Sequence, residues 1–118
     1  METINQLIQE ASEALDQFWF IQRLDIVERT DRTVTVQLMI GKELRVQAFL
    51  SQRSGHLSLA LIGPAGRLYG RDRQQGEWHR HPFSSPEIHE VTPEGMSRRP
   101  FLQFMVEVEE ILVAQDLI

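Results

Sequence analysis

At 118 residues, with 42% hydrophobic and 25% charged positions, the chain is sized for one domain with its own core. It has no cysteine, which excludes disulfides, thiolate metal sites and cysteine nucleophiles, and fits a reducing, cytoplasmic compartment. A net charge of −5 weighs against a dedicated nucleic-acid binder, and the apolar runs predict neither a signal peptide nor a membrane span.

Residues 3–18 predict an amphipathic helix. Ile4, Leu7, Ile8, Ala11, Leu15 and Phe18 recur at helical spacing, with Glu10, Glu13 and Asp16 on the other side. Thr3 and Gln6 stand at the spacing of a capping box.

From about 20 to 73 the period falls to two. Val34, Val36, Leu38 and Ile40 alternate with Thr33, Thr35, Gln37 and Met39; Leu44, Val46, Ala48 and Leu50 alternate with Glu43, Arg45, Gln47 and Phe49; Leu57, Leu59 and Leu61 alternate with Ser58, Ala60 and Ile62. The links at 30–32, 41–42, 53–55 and 63–66 are too short for crossover helices, so the strands form an antiparallel meander. Keeping the apolar rows together sets the register. It requires a bulged three-residue turn that pairs Ile40 with Leu44. Four-residue loops at 52–55 and 63–66 then place Leu59 beside Ala48 and Leu68 beside Leu61. In this register Arg45, Gln47, Phe49, Ser58, Ala60, Arg67, Tyr69 and Arg71 share the opposite, polar face.

Residues 74–98 read as a long loop, with a short strand at 76–81. Residues 100–115 return to helical spacing, with Phe101, Phe104, Met105, Val108, Ile111 and Leu112 inward and Glu107, Glu109 and Glu110 outward; Pro100 suits the first turn. The expected architecture is α+β: a single-domain two-layer sandwich, an antiparallel meander of five to six strands with the N- and C-terminal helices on one face.

Two features bear on function. Eleven of the twelve basic residues are arginine, and Arg67, Arg71, Arg73 and Arg80 fall close together in the chain. The run Trp78-His79-Arg80-His81-Pro82 carries two of the four histidines at i, i+2, so in an extended chain both imidazoles point the same way. An acid–base pair acting on RNA needs two such groups and a cation near phosphorus, which names His79, His81, Arg71 and Tyr69 as the candidate catalytic set. Alternatives are a polar strand end or a three-histidine zinc site of His79, His81 and His89; no cofactor is called for by any motif, and no metal is assigned. The polar face (Arg45, Phe49, Arg67, Tyr69, Arg71) is the candidate surface for self-association, a protein partner or RNA.

The order helix, meander, aromatic followed by a His/Pro-rich loop, and Glu-rich helix resembles the TumE-type family of small prokaryotic toxin-antitoxin proteins. Glu77-Trp78-His79-Arg80-His81-Pro82 and Ser85-Pro86-Glu87-Ile88-His89 correspond to that family's loop, with the second histidine cluster reduced to His89. The resemblance implies a cytoplasmic prokaryotic protein, an antitoxin as partner and action on RNA. The layout is also similar to RNA-cleaving toxins of the RelE type. The competing expectation is a non-enzymatic interaction or dimerisation domain that uses the exposed sheet face.

Overall fold

A computed structural model describes residues 1–41 and 43–118, so the expected turn at Gly41-Lys42 lies partly outside the described residues. The chain runs α1 (Ile4–Gln17), β1 (Arg23–Arg29), β2 (Thr33–Gly41), β3 (Leu44–Ser51), β4 (Leu57–Gly63), β5 (Gly66–Gln74), β6 (Glu77–His81), β7 (Glu90–Val91) and α2 (Pro100–Ala114). The strands form one antiparallel sheet in sequential order. The sheet has seven strands rather than five or six. β6 matches the anticipated short strand, and the additional strand is β7, a two-residue pairing in the stretch expected as loop.

Helix α1 begins where the capping box predicts. The Thr3 hydroxyl accepts from the Gln6 amide, and the Gln6 carboxamide accepts from the Thr3 amide. Glu10, expected on the solvent side of this helix, is instead buried. Its carboxylate accepts from the Phe101 and Leu102 amides and caps α2, whose own N-cap, Arg99, makes no side-chain cap bond. Burial raises the Glu10 pKa, against the opposing pull of those amides and of Arg99.

The expected register holds through β2, β3 and β4. Leu38 pairs with Val46, Val36 with Ala48 and Ala48 with Leu59. The bulge anticipated at the β2–β3 turn is present, but it sets Gly41, not Ile40, opposite Leu44. The apolar row of these strands joins residues of both helices in one core that includes Leu7, Ala11, Leu59, Phe101, Phe104 and Val108. This side of the sheet is the packed face; the other is the outer face.

At β4–β5 the register departs from expectation. Gly63 pairs with Gly66 and Ile62 with Arg67, as a turn at 63–66 requires, and Gly66 has a φ of +121°, open only to glycine. Leu61 then pairs with Tyr69, not Leu68. Leu68 is the extra residue of a bulge, and its side chain packs against the core beside Gly63. With a side-chain period of two, one extra residue turns everything after it over. Tyr69, Arg71 and Arg73 therefore go to the packed face, and Gly70 and Asp72 to the outer face.

Candidate functional site at the β5–β6 end of the sheet

Strand β6 alternates as the sequence predicts. It pairs Asp72 with His79, Gly70 with His81 and Arg71 with Arg80, so His79 and His81 share the outer face with Asp72 while Trp78 and Arg80 face the packed side. β7 pairs with β6 through His79–Val91 and Arg80–Glu90. The intervening segment, 82–89, returns over the outer face and brings His89 back to the two histidines. The His89 ring centroid lies 4.2 Å from that of His81, edge-on, and 5.1 Å from that of His79.

His81 anchors this cluster. It is buried, and its two ring nitrogens are both engaged: Nδ1 lies 2.8 Å from the Pro86 carbonyl oxygen and Nε2 3.0 Å from Asp72 Oδ2. A carbonyl only accepts, so Nδ1 carries the hydrogen and donates it to Pro86. Nε2 is thereby aimed at the Asp72 carboxylate. His79 is half-buried. Its Nε2 is 3.0 Å from Glu77 Oε1, and its Nδ1 is buried with no hydrogen-bond partner among the described residues. A surface cleft lined by Ser54, His56, Gln74, Glu77 and His79 lies alongside. Arg67 adds a cation on this face. It is exposed, and its Cδ and Nε lie near where a side chain at Gly70 would project, next to His81 in the register.

The packed face carries a different polar cluster. The Tyr69 ring stacks on Phe104 at 5.6 Å, and its hydroxyl donates to Glu107 Oε1 over 2.7 Å. Arg71 meets the same carboxylate with two parallel bonds, Nε to Oε1 at 3.0 Å and Nη2 to Oε2 at 2.7 Å. Burial and the bond to Glu107 push the Tyr69 pKa up to about 12, which keeps the phenol neutral. Burial opposes the charge on Arg71, but Glu107 outweighs it and the net direction is up.

The candidate catalytic set thus divides between the two sides of the sheet. His79 and His81 come together on the outer face, and Tyr69 and Arg71 pair with α2 on the other, so the expected polar-face position of Tyr69 and Arg71 is corrected by the Leu68 bulge. Arg45, Phe49 and Arg67 keep their expected outer-face positions. Three of the four clustered arginines are engaged internally: Arg71 with Glu107, Arg73 with the Gly55 and Met1 carbonyls and over the Trp78 ring, and Arg80 with Glu90. Glu107, expected as a solvated helix residue, is one of those partners. His56 is half-buried, edge-on to Phe49.

Asp72 and Glu77 are the members of the histidine cluster that the sequence reading missed. Glu77 was legible, because it stands two residues before His79 on the same strand. Asp72 was hidden by the one-residue slip. The signal that reveals it is Gly70, since a glycine in mid-strand opposite a histidine marks room on that face. No protein-family model, curated protein or solved structure matches this chain.

Proposed function

We propose that the outer-face histidine centre acts on RNA phosphodiesters, in a small prokaryotic protein related to toxin-antitoxin systems. The observation that carries this reading is the convergence of His79, His81 and His89, from a strand and a returning loop, beside Asp72 and a surface cleft. The likeness of the loop to the TumE-type family supplies the biological setting. With the two helices as one layer on the packed face, in a two-layer sandwich, the outer face stays open to a partner or substrate.

In this reading Nε2 of His79 exchanges its contact with the exposed Glu77 carboxylate for a ribose 2′-hydroxyl and takes that proton as the oxygen attacks phosphorus. The bond from phosphorus to the 5′-oxygen breaks, and the imidazole of His89, exposed beside His81, gives that oxygen a proton. Arg67 takes the role first given to Arg71 and neutralises charge on the phosphate. Tyr69 and Arg71 serve the fold. The test is induced expression in bacteria with RNA integrity followed on gels. The wild type should arrest growth and fragment RNA, and His79→Ala and the exposed-site variant His89→Ala should relieve both. Equal growth and intact RNA for wild type and variants would overturn the reading.

The second reading is an interaction domain without chemistry. Its support is the β1 edge of the sheet, where Ile26 and Val27 are about half exposed, together with Arg45, Phe49 and Arg67 on the outer face. Concentration-dependent dimerisation lost on Val27→Lys would favour it.

A further inference from the structure

We infer that Asp72, His81 and His89 form a binding site for a divalent transition-metal ion of the zinc type. One donor atom from each residue lies within 4.8 Å of the others. Two donors each about 2.1 Å from one ion and about 90–110° apart stand about 3.0–3.4 Å from one another. His81 Nε2 and Asp72 Oδ2, 3.0 Å apart, already have that spacing. His89 is exposed on the 82–89 connection and can close the remaining gap without moving the sheet.

The surroundings have the form of a ligand shell. A metal-ligating histidine commonly donates its second ring N–H to a backbone carbonyl, which fixes the tautomer and aims the other nitrogen. The Pro86 carbonyl does this for His81. Two imidazoles and one carboxylate, with no thiolate, select a borderline divalent ion over calcium or magnesium. Three protein ligands leave positions open on the solvent side, where His89 is exposed and His79 stands next to it. The three-histidine set considered from sequence is thereby replaced: Asp72 takes the place of His79, which remains paired with Glu77.

The site shares its residues with the proposed RNA chemistry, to which a bound ion would supply a Lewis acid beside the phosphate. The binding test does not depend on that chemistry. The untagged full-length chain, stripped with chelator, is titrated with Zn²⁺ by calorimetry and with Co²⁺ by visible absorption. One ion per chain is expected, with a Co²⁺ spectrum reporting nitrogen and oxygen ligands. His89→Ala and Asp72→Asn should each weaken Zn²⁺ binding about 100-fold or more, and His56→Ala should leave it unchanged. His89 is exposed, so its variant keeps the fold, which circular dichroism confirms. Absence of saturable binding, or binding that survives His89→Ala and Asp72→Asn, overturns the inference. Intact RNA alongside saturable binding would instead overturn only the proposed function.

Discussion

Strand β5 sends alternate residues into two polar clusters that differ in kind. On the packed face, Tyr69 and Arg71 close on a single carboxylate, Glu107, over the stacked ring of Phe104. Nearly every donor there has its acceptor; Arg71 Nη1 is the exception among the described residues. On the outer face, Asp72 meets three histidines drawn from β6 and a loop, with one histidine exposed and another holding an unpartnered nitrogen. The first cluster is closed and joins a helix to a sheet. The second is open to solvent on one side and has capacity left to bind. Arginine and tyrosine next to histidine in the chain suggest one active site, but adjacent strand positions serve opposite faces.

That contrast depends on one residue, so the harshest test removes it. Deleting Leu68 takes out the bulge and would turn Tyr69, Arg71 and Arg73 outward while driving Asp72 and Gln74 into the core. We expect loss of cooperative thermal unfolding by circular dichroism; a variant that still melts sharply would show that the bulge does not set the register.

The next largest effect belongs to the packed cluster. Glu107→Ala strands a buried guanidinium and a buried phenol, and should cost about 3–5 kcal/mol in urea unfolding. Arg71→Met with Glu107→Leu removes both charges and should recover most of that loss. Equal losses in the single and double variants would mean the pair is not acting as a unit.

Tyr69 offers a test by pH. Its folded pKa, about 12, stands above the ordinary value of about 10. The neutral phenol is therefore favoured by folding, and its contribution is full below about pH 10 and lost as pH rises toward 12. Tyr69→Phe should cost about 1 kcal/mol at neutral pH and flatten the alkaline decline in unfolding free energy. An unchanged decline in the variant would assign it to other groups.

The smallest expected effect is that of Glu10→Gln. Burial raises the Glu10 pKa, so folding favours the protonated form. The stabilising share is full below its unfolded value of 4.5 and is lost as pH rises through the higher folded value. Glu10→Gln keeps an oxygen for the Phe101 amide and removes the buried charge. It should change stability by under about 1 kcal/mol at pH 7, whereas Glu10→Ala loses the cap and should cost about 1–2 kcal/mol. Identical losses for both would contradict the capping role.

The sequence made the elements legible where a period ran long enough to be read. The Val34–Ile40, Leu44–Leu50 and Leu57–Leu61 rows marked three strands and their pairing, and Thr3 with Gln6 marked the start of α1. The i, i+2 histidines were placed correctly, because alternation within one strand needs no knowledge of its neighbours. What failed was transfer of register across a turn. The alternation Leu61–Leu68 looked apolar on both sides, and Leu68 reaches the core from a bulge, so a hydrophobic residue in the apparent right place concealed the slip. Long-range capping was also unreadable: Glu10 stands at a solvent-side helix position by spacing, and only the approach of α2 explains its burial. The pairing of His81 with Asp72, and the return of His89, depend on that register and on a loop with no period at all.

The outer-face centre depends most on the state of the His81 ring. Long-range ¹H–¹⁵N spectra of the imidazole nitrogens, recorded before and after one equivalent of Zn²⁺, read it directly. We expect Nδ1 of His81 to carry a hydrogen throughout, with Nε2 of His81 and a nitrogen of His89 shifting together on metal addition while His56 stays still. A His81 ring with a bare Nδ1, or four histidines that ignore the ion, would contradict the outer-face centre described above.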